Sequence, residues 1–496
     1  MGFCRNLAAL NPNVRLTLFL SAVGGLADSL WSGTVLAAYL YEIDGDRNAR
    51  VGYVEAASGL ATLVTALPVG WAADKLGRGF VAACGGALSF AAVGLTAGAV
   101  LAPQSERAAF WWLLSAMALW GVVSGVASGP VEALYADSVP TGERSASYFR
   151  LFVVSLLAES LGPLVTIGVF VARGDRWSLA TLRAIIAAAM ALELVTALFM
   201  FGFRDAAALG REAEHVGADD EGSDDDAADD VDDDDDDDEH ASAPRAADGA
   251  ADGATDGADD GAAAARRRAR RRVPCVLFVS NLATALGSGM SVKFFPLYFK
   301  QDCGLSPVAV QCVYAGVPLL MIAFGALADR LARAVGRAQV MLLFQLVGVA
   351  LLLAMVALEH ALGRAPPLAM VPLYLARTGV INATYPLAES VLMDFAPRDT
   401  RARWKSLESV ASFGWCGSAA LGGVLADAHD YRFTFTITAA WQGLGALAMV
   451  PLLAVVPRRE APVRGKDRRE DSAPAALVVN DLSETLSEPL LTEGGS

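Results

Sequence analysis

The feature that most narrows the fold is a recurrence of apolar stretches long enough to cross a lipid bilayer. Twelve can be drawn, at roughly 15–41, 50–72, 80–102, 110–136, 146–172, 178–203, 273–299, 306–328, 338–360, 367–393, 406–427 and 432–456. Each is about 20 residues or more, enough for a helix to cross a hydrocarbon core roughly 30 Å thick. They are too long and too evenly apolar for barrel strands, which alternate over about 10 residues. A soluble chain of 496 residues would divide into domains with polar surfaces, whereas 54% of this one is hydrophobic. The expected fold class is an all-α polytopic membrane protein. The first run lacks a small-residue cleavage site after a short apolar core, so a retained helix is expected rather than a signal peptide.

Between the sixth and seventh runs the chemistry changes. Residues 205–272 hold 24 acidic residues and 8 Arg, a net charge of −16 against −15 for the whole chain, so everything outside this stretch sums to +1. The acidity therefore belongs to a linker, "DDVDDDDDDDEH" and its surroundings, and not to the membrane body. Few large apolar residues and strong self-repulsion predict disorder there. The expected organisation is a cytoplasmic N-terminus (1–14), a six-helix bundle (15–203), the disordered linker (204–272), a second six-helix bundle (273–457) and a disordered tail (458–496).

Six Arg, Arg266–Arg268 and Arg270–Arg272, abut the seventh run. Such a cluster stays cytoplasmic by the positive-inside rule, and the alternate loops that share its side are richer in Lys and Arg than the opposite ones. Both termini are then expected in the cytoplasm.

An internal repeat ties the halves together. "GWAADKLGR" at 70–78 recurs as the longer "GALADRLARAVGR" at 325–337. Gly70 and Asp74 match Gly325 and Asp329; Lys75 matches Arg330; Gly77-Arg78 matches Gly336-Arg337. "PVEALYADSVPTGERSASY" at 130–148 matches "PLAESVLMDFAPRDTRARW" at 386–404, which aligns Glu132 with Glu389, Asp137 with Asp394 and Arg144 with Arg401. Two related bundles follow from the duplication.

On these residues the chain resembles the major facilitator superfamily over roughly 15–456. Its loop between the second and third runs resembles that family's signature, Gly-x-x-x-Asp-(Arg/Lys)-x-Gly-Arg-(Arg/Lys), with Gly79 in the last basic position. The resemblance implies a major-facilitator fold, two six-helix bundles around a central cavity, and a secondary carrier that works by alternating access.

Charges at the ends and in the middle of the runs are the candidate functional groups. Asp74 is expected to pair with Arg78 and to latch one face shut in one state only; the same logic applies to Asp137 with Arg144 and Asp394 with Arg401. Alternatively these charges cap helices and set topology. An ionisable group at membrane depth is costly and so a functional candidate. Asp28 is expected to carry a proton or cation, or else to bond Ser29 or Ser32. Glu55 is expected to reach the membrane interface. Glu132 and Glu389 are expected to serve the cavity or a gate. Lys293 is expected to meet an anionic group or snorkel outward. Arg377, with Asn382 and Tyr385 near it, makes a set able to hold a carboxylate or other anion, or a partner for Glu389 or Glu408. Trp415 faces substrate or packs in the bundle. Gly414, Gly417, Ser418, Gly422 and Gly423 make a face for close helix contact.

Other chemistries find no footing. The six Cys show no paired short spacing, the four His are scattered, and no phosphate-cradling Gly-x-x-x-x-Gly-Lys-(Ser/Thr) loop exists. No enzymatic activity, cofactor, metal or nucleic-acid partner is expected. The expected partners are the lipid bilayer, a small solute, and protons or another coupling ion, with the chain acting as a monomer. A non-transporting receptor on the same fold is the alternative. Leu490-Leu491 after Glu488 suggests sorting to a vacuolar or endosomal membrane, the plasma membrane being the other choice.

Overall fold

The structure, a computed structural model, describes residues 10–43, 47–102, 105–140, 144–209, 256–396 and 408–457. All regular structure among them is helical. The first run is α1 (Pro12–Trp31) and α2 (Thr34–Ile43), followed by α3 (Asn48–Leu76) and α4 (Arg78–Leu101). The fourth is α5 (Glu106–Val126) and α6 (Glu132–Asp137), joined by a π-helical turn at Ala127–Val131; α7 (Arg144–Ala172) and α8 (Leu179–Phe199) complete the first lobe. The second lobe holds α9 (Asp256–Val292), α10 (Phe295–Gln301), α11 (Pro307–Val335), α12 (Arg337–Leu362), α13 (Pro367–Asn382), α14 (Tyr385–Phe395), α15 (Glu408–Ala428), α16 (Tyr431–Ala448) and α17 (Leu452–Val455).

Among the described residues ten helices are long and apolar enough to cross a membrane, and the chain is an integral multi-pass membrane protein. The tenth and eleventh runs are not among these ten; the tenth is divided into pieces of 16 and 11 residues. Its break is one of four. The first, fourth, seventh and tenth runs are all interrupted, and the fourth and tenth break at matched positions, 127–131 and 383–384. Pro130 removes a ladder hydrogen bond inside the π-helical turn. Broken helices at membrane depth are tolerated where protein or a cavity receives the freed backbone groups.

Up-and-down order brings the starts of α1, α4 and α9 and the ends of α3, α8 and α16 to one face, here the linker face; the opposite is the far face. Two expectations for the linker are corrected. Residues 204–209 pack on the first lobe: the Asn13 side chain donates to the Arg204 carbonyl at 3.0 Å and that of Asn11 to the Ala207 carbonyl at 2.6 Å. Residues 256–272 extend α9 as helix, in keeping with the strong helix propensity of Ala and Arg. The poly-Asp segment, the terminal segments 1–9 and 458–496, and Arg401 lie outside the described residues.

The core divides unevenly. One buried cluster crosses both lobes, joining Trp31, Tyr39 and Leu113 to Phe294, Phe295, Tyr298 and Phe435, and it fills the far half. In the linker half the clusters stay within a lobe: Val273, Phe344, Leu387 and Leu452 in the second, and Ala73, Leu134, Tyr135 and Met200 in separate groups of the first. Glycines allow the approach. A Cβ on Gly422 would strike the Met290 backbone and one on Gly423 the Asn48 backbone, so α15 is wedged between α9 of its own lobe and α3 of the other.

Candidate functional site

A polar recess lies within the second lobe, between α9, α13, α14 and α15, with a cavity of about 530 Å³. Arg377 of α13 is in its wall, only 3% exposed. Its Nη2 donates to Gln442 Oε1 at 3.4 Å, and Gln442 Nε2 donates in turn to Ser288 Oγ at 2.9 Å. The guanidinium also lies over the Phe295 ring, 5.4 Å from its centroid. Asn382 and Tyr385, expected near Arg377, line the same cavity, and so does Trp415. No carboxylate among the described side chains reaches Arg377, so Glu389 does not supply its counterion; the Glu408 side chain lies outside the described residues.

A second polar group belongs to the first lobe. Asp28 is open rather than packed, and lies within electrostatic reach of Lys293 and Glu159. The alternative of a bond to its neighbours is corrected in part: Ser29 Oγ donates instead to the Leu26 and Ala158 carbonyls. Glu193 of α8, which the sequence reading passed over, is 4% exposed and near enough to Asp28 to feel its charge. Thr196 donates to Glu193 Oε2 at 3.0 Å, while Oε1 has no hydrogen-bond partner among the described residues.

Between the lobes, Lys293 Nζ lies 3.1 Å from Glu55 Oε2, with side-chain exposures of 19% and 12%. The Lys293 ammonium also sits 5.5 Å from the Trp415 ring. Lys293 therefore meets an anionic group, one of its two expected fates. The expectation for Glu55 is corrected: it turns inward, where a lysine from the other lobe pairs with it.

The far face carries more such bridges. Lys300 pairs with Glu42 and lies over the Tyr41 ring. The Asp427 carboxylate accepts from the Asn48 and Ala49 backbone N–H groups, each at 2.8 Å, capping α3 from the other lobe. Asp175 likewise accepts from the Val308 N–H at the start of α11. Beside them, burial pushes Asp302 up to about 6, helped by the Glu359 and Asp430 carboxylates and opposed by Arg432. Asp430 is held below the usual carboxylate range: burial raises it, but the Phe433 N–H and the Arg432 guanidinium outweigh that.

On the linker face the Arg78–Asp137, Arg333–Asp329 and Arg337–Asp394 pairs each stay inside one lobe. Arg78 pairs with Asp137, and Arg337 Nη2 with Asp394 at 2.6 Å, so the duplicated motifs make the same bond twice. The expected Asp74–Arg78 pair is not formed: Asp74 is exposed and Arg78 reaches across to α6. Asp137 and Asp394 pair with Arg78 and Arg337; the partners expected for them, the Arg144 side chain and Arg401, lie outside the described residues. Asp329 pairs with Arg333 one turn on; Lys75 and Arg330 are exposed. Gly77 and Gly336 adopt φ of +94° and +116°, which explains glycine at both turns. Gly70 and Gly325 have open space around them. Gly79 stands where the signature has a base, and there the Asp205 carboxylate accepts from the Arg78 and Gly79 N–H groups at 3.0 Å. Glu132 is exposed and Glu389 half-buried on their matched helices.

Two duplicated six-helix lobes, joined through one half of their depth and enclosing polar side chains at mid-membrane, define the class: a polytopic helical membrane protein organised as a carrier. The model of the Major Facilitator Superfamily matches residues 17–258 and 277–492, and the chain belongs to that family. The structure is similar to a crystal structure of a D-xylose–proton symporter, with a TM-score of 0.64 at 14% identity over 90% of this chain and 98% of that one. It is similar to the peptide transporter POT in complex with alafosfalin, TM-score 0.61 at 16% identity over 92% and 96%. The xylose transporter XylE of E. coli, in a partially occluded inward open conformation, gives a TM-score of 0.60 at 13% identity over 92% and 99%. At these identities the likeness is one of fold. No curated protein matches the sequence.

Proposed function

We propose that this protein is a secondary transporter that moves a small solute by alternating access, held here with its far face closed. The observation that carries this is the division of the core: hydrophobic packing and ion pairs join the lobes in the far half, while in the linker half each described cluster stays within one lobe, as do the Arg78–Asp137 and Arg337–Asp394 pairs. An interface joined at one end only is what two rocking bodies need. The linker face carries Arg78, Arg330, Arg333, Arg337 and the Arg268–Arg272 run, which supports a cytoplasmic linker face and hence an inward-open state.

Within that cycle, the Glu55–Lys293 and Glu42–Lys300 bridges act as the outer latch. Arg78–Asp137 and Arg337–Asp394 brace the inner ends of each lobe. Asp28, open to the interior beside Glu159 and Glu193, is the coupling group, taking a proton or cation. Charges kept at membrane depth favour transport over a receptor role, which has no use for their cost. The test is solute flux in proteoliposomes under an imposed pH or cation gradient. Flux that follows the gradient and loses that dependence in Asp28→Asn supports the proposal; gradient-independent flux in both proteins removes Asp28 from coupling, and no flux of any solute removes transport.

A further inference from the structure

We infer that the second-lobe cavity is built for an organic solute carrying one negative charge, its carboxylate on Arg377 and its hydroxyl or carbonyl groups on the surrounding amides and hydroxyls. This names the substrate class of the transport site proposed above and rests on that proposal.

Arg377 is 97% buried at membrane depth without a counterion among the described residues. A lone buried guanidinium is costly, and its one hydrogen bond there is the long contact to Gln442. Its Nε has no partner. Three more buried polar atoms in residues lining the same cavity also lack one: Thr284 Oγ1, Gln345 Oε1 and Thr378 Oγ1. Folded proteins leave few such atoms, so their gathering at one cavity marks it as polar. Among the described residues the lining contains no Asp or Glu, which leaves the negative charge to the solute. Lys293, the next cation, is already neutralised by Glu55. One unmatched positive charge suits a monoanion better than a dianion. A guanidinium suits a planar carboxylate, which it can grip through two parallel bonds. Trp415 supplies a flat apolar wall for the carbon skeleton.

The test uses the purified full chain and a matched six-carbon series of one cation, one neutral sugar, one monoanion and one dianion: glucosamine, glucose, gluconate and glucarate. A second set is benzylamine, benzyl alcohol and benzoate. Binding is read by thermal stabilisation and calorimetry. At least one monocarboxylate is expected to bind more tightly than its neutral and cationic relatives. That affinity is expected to fall about 10- to 100-fold in Arg377→Gln, and less in Arg377→Lys. Unliganded Arg377→Gln is expected to melt no lower than the parent, since an unpaired buried charge has gone. If it does not purify, Gln345→Leu carries the test with an expected loss of about 3- to 10-fold. The inference is overturned if no monocarboxylate binds, if a neutral or cationic relative binds as well, or if both variants bind normally. Binding without flux in proteoliposomes would overturn the carrier and leave the pocket; flux of a neutral or cationic solute without anion binding would do the reverse.

Discussion

Glu55→Gln strands Lys293 between the lobes. The two side chains are 12% and 19% exposed and 3.1 Å apart, so solvent screens them little. Removing one partner of a buried pair costs about 3–5 kcal/mol. The pair borders a polar interior, so the lower end, about 3 kcal/mol, is the better figure. The bond joins the lobes only while the far face is closed, so the cost falls on that state alone. It moves the equilibrium toward far-face opening by about 100-fold. Glu55→Gln/Lys293→Met removes both charges and is expected to return the equilibrium to within about 1 kcal/mol of the parent. Spin labels at Arg107 and Arg364, exposed on far-face ends of opposite lobes, report the opening by pulsed electron resonance in a background with the six native Cys replaced. The single variant should populate a longer distance and the double variant should lose it. Identical distance distributions in all three proteins would show that the pair is no latch.

Three further outcomes follow from the same geometry. Gly422→Ala should lower stability by about 1–3 kcal/mol despite alanine's better helix propensity, because its Cβ meets the Met290 backbone; detergent melting curves check this. Asp302 has a folded-state value raised to about 6 from an ordinary 3.8, so the stability it lends is full below about pH 4 and is lost as pH rises through 6. Melting temperature should therefore fall over that window, and Asp302→Asn should flatten that part of the profile. Arg78→Glu and Asp137→Arg should each impair folding or flux, with partial recovery in the double variant, as should the Arg337 and Asp394 pair; failure to recover would deny the bonds a common role.

Much of the fold was legible because membrane burial forces long apolar runs and because duplication repeats its motifs at a near-constant spacing. The signature glycines were legible too: only a residue without Cβ sits easily at the φ of Gly77 and Gly336. Partners across space were not. Arg78 and Asp74 are four residues apart in sequence, yet Arg78 finds Asp137 on α6, a choice set by packing of the helix ends. Glu55 lay near the start of its run and suggested an interface position; the lysine that draws it inward is more than two hundred residues away. Asp205 and Asp427 cap helices they do not belong to, and no local pattern marks that. Glu193 is different. A lone acid inside "ALELVTALF" is the same signal that singled out Asp28, and it was there to be used. The breaks in the first and seventh runs were hidden because neither Ser32-Gly33 nor Lys293-Phe294 contains proline.

The most direct measurement is which face of the membrane reaches the cavity. Asn382, exposed on the cavity wall, can be replaced by Cys and challenged in sealed vesicles with an impermeant maleimide from either side. A carrier caught closed on its far face should be labelled from the linker face alone, and adding Glu55→Gln should open a far-face route while slowing the other. Equal labelling from both faces in the parent, or labelling from the far face only, would contradict the account.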